Sequence, residues 1–123
     1  MAHDAPGIEA AYELGLSQIA NAEYFAAHES LEEAWRAAPG VERDFFQGLV
    51  HVAVAWYQAG RGNRVGCERQ LEKARRRLSP YGAAHRGLDV ADLLRQVEAA
   101  EGRFPRLAPV RIRRVEPGPP AQS

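Results

Sequence analysis

The sequence predicts an all-α domain of about five helices: two antiparallel helical hairpins, a C-terminal helix and a short irregular tail. Three observations predict it. Apolar residues recur at spacings of three and four along most of residues 8–97, Pro39-Gly40 and Gly60-Arg61-Gly62-Asn63 punctuate that pattern, and Phe45–Tyr57 is apolar right round the helical wheel. At 123 residues with 46% apolar content, the chain can bury one core and is too short for two. Residues 1–105 are expected to form that single domain, and residues 106–123 an extended basic and then Pro/Gly-rich tail, partly disordered.

The first helix is expected over about Gly7–Ala20, where Ile8, Tyr12, Leu16 and Ile19 share a face and Pro6 stands where a first turn tolerates proline. Asn21 is the corner. A second helix runs over about Ala22–Ala37 and stops at Pro39-Gly40. The third starts at Glu42-Arg43-Asp44 and ends at the Gly60–Asn63 turn; its valines suit a strand, but its unbroken length favours a helix buried on all sides. The fourth covers about Arg64–Leu78, with Cys67, Leu71, Ala74 and Leu78 on one face, and Ser79-Pro80-Tyr81-Gly82 ends it. A loop then leads to Asp89, which caps a fifth helix through Val90, Leu93, Leu94 and Val97. Leu31-Glu32-Glu33-Ala34 recurs forty residues on as Leu71-Glu72-Lys73-Ala74, an echo that fits two stacked helix pairs.

The net charge of zero conceals a segregation. Residues 1–44 hold nine acids against Arg36 and Arg43, and residues 45–123 hold seven acids against fourteen bases. Such blocks are expected to attract each other across the fold or between two copies. Nucleic acid is not the expected partner: Lys73, Arg75-Arg76-Arg77 and the tail arginines Arg103, Arg106, Arg111, Arg113 and Arg114 have no interleaved stacking aromatics. A lone Cys67 fits an inert, packed thiol in a reducing compartment, and no apolar run nears the roughly 20 residues a membrane span needs, so a cytoplasmic protein is expected.

The chemistry-bearing stretch is Phe25–Trp35. A helix places Phe25, His28, Leu31, Glu32 and Trp35 on one stripe, expected to be buried, with Glu29 beside it. Across the short Pro39-Gly40 connection this stripe would meet Gln47 and His51, which lie four apart on the third helix. The structural reading is a buried His28/Glu32 pair completed by Gln47 and the Trp35 indole. The sharper reading is a divalent metal held by His28, Glu32 and His51 with Glu29 as base, as helix bundles can build. The spacing His-Glu-x-x-Glu lacks the second imidazole of His-Glu-x-x-His. His3 and His85 fall in end or loop regions and are expected to be solvated.

The order Asn21-Ala-Glu-Tyr24-Phe25-Ala-Ala-His28-Glu29-Ser-Leu31-Glu32-Glu33-Ala-Trp35, then Glu42-Arg43-Asp-Phe-Phe-Gln47-Gly48-Leu49, then Gly62-Asn63 with Gly66, resembles the bacterial and archaeal family catalogued as domain of unknown function 309. The resemblance covers residues 8–100 and implies a small helical array with no established activity. Ala22 and His51 stand where that family often has glycine and glutamine, so a role for His51 rests on this chain alone. The expected function is a non-catalytic helical module that engages a protein partner or a second copy of itself; the alternative is a metal-binding or small metal-dependent hydrolase-like protein.

Overall fold

The computed structural model describes residues 7–116. His3 and the Pro/Gly-rich end beyond Glu116 lie outside the described residues. Helix α1 (Ile8–Ala20) is followed by α2 (Tyr24–Ala37), α3 (Gly40–Gly60) and α4 (Arg64–Leu78). A single tight turn at Ser79–Tyr81 leads into two short antiparallel strands, β1 (Ala84–His85) and β2 (Leu88–Asp89), and α5 (Val90–Ala100) closes the helical part. Local chemistry sets these bounds. Pro39, extended at φ −84° and ψ 154°, is the last residue before α3, which begins two residues ahead of the Glu42 signal. Asn63 caps α4 by accepting from Gly66 N at 2.8 Å, and Asp89 caps α5 by accepting from Asp92 N at 2.8 Å. The hairpin is the departure from an all-helical chain: Arg86 and Gly87 both take positive φ, 49° and 76°, and reverse the chain in two residues.

Consecutive helices pack against one another, with α3 between α2 and α4. Phe45, Phe46, Leu49, Val52, Ala53, Ala55 and Trp56 are buried along α3, but Gln47, Val50, His51, Val54 and Tyr57 are only half-buried, so the helix expected to be buried on all sides keeps one outer face. The repeated Leu-Glu-x-Ala segments occupy equivalent places on the flanking helices: Leu31 and Ala34 of α2 and Leu71 and Ala74 of α4 are buried, while Glu32 and Glu72 pair with Arg36 and Arg76 one turn on. The phase of α2 differs from expectation. Its buried residues are Ala27, Ser30, Leu31 and Ala34, while Phe25 is 49% exposed and His28, Glu32 and Trp35 are half-buried. Small residues allow the helix axes to approach, and the bulky ones are left at the edge. Ser30, the buried polar residue here, bonds Gln18 Oε1 at 2.7 Å.

The chain beyond α5 is not set apart from this core. Val110 is buried and Leu107 and Ile112 pack against the core, so a boundary at residue 105 does not divide the fold. Trp56 Nε1 donates to the Ala108 carbonyl at 2.8 Å, Val110 N donates to the Tyr24 hydroxyl at 3.2 Å, and Gln96 exchanges two 2.8 Å bonds with the Arg111 main chain. Leu88 bridges to Arg114. The segregated charges meet within the molecule, through Arg77–Asp44, Arg86–Glu9, Arg86–Glu42 and Arg114–Glu13. No helix among the described residues is long and apolar enough to cross a membrane.

The close helix contacts give a direct test. A Cβ on Gly15 would lie 2.6 Å from Leu31 Cγ, and one on Gly48 2.7 Å from Leu78. Gly15→Ala and Gly48→Ala are each expected to lower stability by about 1–3 kcal/mol in urea unfolding, as overpacking does. Gly60→Ala meets nothing within 4 Å and should leave the midpoint unchanged or slightly raised.

Candidate functional site

The predicted site residues lie on the outer side of α2 and α3 without converging. Trp35 stands beside Arg43, whose guanidinium is 5.0 Å from the indole centroid, and Phe25 stands beside Tyr57 with ring centroids 5.2 Å apart. This antiparallel register brings His28 next to Val54, and Phe25, His28, Val54, Tyr57 and Gln58 line a cavity of about 210 Å³. His28 Nε2 lies 3.0 Å from Glu32 Oε2, both side chains roughly a quarter exposed. Glu32 also reaches Arg36 at 3.8 Å, and Glu29 is exposed. With roughly a quarter of each side chain open to solvent, the pair has access to water for its remaining hydrogen bonds.

His51 is turned the other way. With Gln70 Oε1 as acceptor, its Nδ1 donates across to α4 at 2.6 Å. The expected joining of His28 and Glu32 to Gln47, His51 and the Trp35 indole is therefore corrected: no hydrogen bond links the pair to any of them among the described residues. Nor do His28, Glu32 and His51 form a three-ligand set, since no group of three or more His, Cys, Asp or Glu side chains suited to a metal occurs among the described residues. Burial, with Lys73, Arg77 and Arg76 nearby, pushes the His51 imidazole below its ordinary 6.5 against the opposing bond from Gln70. The imidazole is thus neutral at pH 7. Cys67 is buried, and burial with Glu68 close by raises its thiol, which keeps it protonated and unreactive.

The densest polar constellation lies elsewhere, and it takes in a histidine expected to be solvated. Glu42, in the first turn of α3, accepts from His85 Nε2 at 2.8 Å and from Arg86 Nε at 2.6 Å. Arg86 also reaches Glu9 of α1 at 2.8 Å, its carbonyl accepts from the Tyr12 hydroxyl at 3.0 Å, and its guanidinium lies over the Phe46 ring at 5.0 Å. His85 packs on Phe45 and Tyr81 at 4.6 and 4.9 Å, and the Tyr81 hydroxyl bonds the Val41 carbonyl. Burial alone would raise the Glu42 carboxyl, but the hydrogen bonds and charges of Arg86 and His85 outweigh it and hold the group below its ordinary 4.5. Glu42, His85, Arg86, Tyr12 and Tyr81 are each engaged within the fold. The cluster is a clasp between α1, α3 and the hairpin; the Arg-Gly turn before Leu88 was its sequence signal.

Two titrations follow from these groups, both with folded values below unfolded ones. Each contributes stability that is complete above the unfolded value and lost as pH falls through the folded one. Wild-type stability is expected to decline in two stages, the first below pH 6.5 from His51 and the second below 4.5 from Glu42. Urea unfolding across pH should lose the first stage in His51→Gln and the second in Glu42→Gln. The latter should also cost about 1–3 kcal/mol at neutral pH, because Arg86 and His85 lose the carboxylate that accepts from both, while Arg86 keeps Glu9.

With the geometry in place, the comparisons with known proteins bear on the same segment. The chain is 35% identical over 86 residues to the uncharacterized protein YpuF of Bacillus subtilis (strain 168), a match covering 65% of this chain and 48% of that protein. The chain thus spans about half the length of the curated relative it matches. No solved structure matches it significantly. Residues 12–70 match the family described as Domain of unknown function (DUF309), a span from Tyr12 in α1 to Gln70 in α4 that includes His28, Glu32, Glu42 and His51 but ends before His85 and Arg86. The chain carries a DUF309 domain, as the order of residues from Asn21 to Leu49 implies.

Proposed function

We propose that the protein is a non-catalytic, self-associating helical module in which the outer face of α2, α3 and α4 pairs with the same face of a second copy. The supporting observation is how that face is graded in charge. Its α2 edge carries Glu29, Glu32 and Glu33, and its α4 edge, beside His51, carries Lys73 together with Arg76 and Arg77, which also pair with Glu72 and Asp44. Between them stand Phe25, Val54 and Tyr57 around the 210 Å³ cavity, with Phe25 half exposed. A two-fold axis through such a face sets the acidic edge of each copy against the basic edge of the other, over an apolar centre. The buried, protonated Cys67 fits a reducing compartment, and we place the module in the cytoplasm. The metal-dependent alternative has no comparable support, because His51 bonds Gln70 instead of facing His28 and Glu32.

Sedimentation equilibrium from micromolar to near-millimolar protein should detect a dimer whose dissociation constant rises with salt. Phe25→Ser is expected to weaken it by about tenfold, equivalent to roughly 1.4 kcal/mol, with little change in the urea midpoint. A chain that stays monomeric throughout, whether or not it captures another protein, overturns self-association.

A further inference from the structure

We propose that the cleft between the end of α5 and the extended segment 103–111 binds the phosphoryl group of a small phosphorylated molecule through Arg103, Arg106 and Arg111. The cleft has a volume of about 340 Å³, and no aspartate or glutamate lines it. None of the three guanidinium groups has a carboxylate partner among the described residues, whereas Arg75, Arg77, Arg86 and Arg114 each hold one. Glu101, the acid adjoining the α5 wall, is turned to Arg75 at 3.2 Å. Three like charges gathered round one concavity repel one another, and an oxyanion relieves that repulsion.

A solvated basic tail would not be held as this one is. The Trp56 indole fixes Ala108, the Gln96 amide fixes both main-chain groups of Arg111, Arg103 N bonds the Ala100 carbonyl at 3.0 Å, and Arg106 N bonds the Arg103 carbonyl at 2.9 Å. These bonds anchor the arginine backbones to rigid helices, the support that a preformed site needs. They also decide the ligand class. The Trp56 N–H and the Gln96 amide are already engaged, so the side-chain donors left facing the cleft are guanidinium groups, whose planar forks match phosphate oxygens. Ala99, Ala100, Ala108 and Pro109 complete the walls with apolar surface, and the volume exceeds that of a lone phosphate. A phosphoryl group carried on a short carbon skeleton fits both parts.

The test is isothermal titration calorimetry of the full chain with inorganic pyrophosphate, at ionic strength held constant with chloride. Saturable one-to-one binding is expected, weakened by about tenfold or more in Arg103→Gln and in Arg111→Gln. Neither change should move the melting temperature, since neither side chain has an ion-pair or hydrogen-bond partner among the described residues. Arg69→Gln, on α4 and outside the cleft lining, should bind as wild type. Absence of saturable binding, or equal weakening in all three variants, overturns the site. Pelleting with vesicles containing phosphatidic acid in the absence of pyrophosphate binding overturns the assignment to a soluble ligand. The residues tested do not overlap the face assigned to self-association, so either proposal can fail alone.

Discussion

The Glu42 carboxylate, bonded to Arg86 Nε at 2.6 Å, fastens the irregular part of the chain to its helices. Strands of two residues each, as in β1 and β2, do not hold themselves together in water. Their position is imposed from outside: Glu42 holds His85 and Arg86, the Tyr12 hydroxyl holds the Arg86 carbonyl, and Leu88 is fully buried beneath them. Once placed, the hairpin becomes a template. Asp89 N bonds the Arg113 carbonyl and Val115 N the Gly87 carbonyl, at 2.9 and 2.8 Å, and the returning segment is laid along it. A carboxylate in the first turn of a long helix is a favourable anchor, because the helix dipole already stabilises negative charge there.

The same logic accounts for the separation of acids and bases along the sequence. Glu9, Glu13, Glu42 and Asp44 lie in the N-terminal part and find Arg86, Arg114, His85 and Arg77 in the C-terminal part. Most of these pairs are too exposed to add much individually. Glu42, whose side chain is only 19% exposed, differs because it is desolvated and doubly bonded. The oppositely charged blocks thus meet on the side of the bundle where the clasp lies.

Elements with one-dimensional signals were legible in the sequence. The all-round apolar run of α3, the Asn63 turn and the Asp89 cap each depend on neighbours in the chain, and each is where it was expected. The phase of α2 was not legible, because Phe25 and Trp35 are the most hydrophobic candidates while the closest helix approach selects Ala27, Ser30, Leu31 and Ala34. Side-chain size attracts a reading of burial, yet close packing against Gly15 rewards compact residues. His85 was misread for a related reason. In a stretch without periodicity its environment is set largely by Glu42 and Phe45, about forty residues away, with Tyr81 beside it.

These two misreadings bear on the functional question together. His28 and Glu32, expected inside the core, form a pair at its edge with roughly a quarter of each side chain exposed. The more desolvated groups, Glu42 and His51, are bonded within the fold, Glu42 by Arg86 and His85 and the His51 Nδ1 by Gln70. Chemistry directed outward falls most readily to groups that have no partner among the described residues. Phe25 on the α2–α3 face and the three guanidinium groups beside Trp56 meet that criterion in different ways, one by unburied apolar area and the other by unneutralised charge. Both are carried by α3, through Tyr57 on one side and Trp56 on the other, so the central helix that organises the core also fixes what the surface can bind.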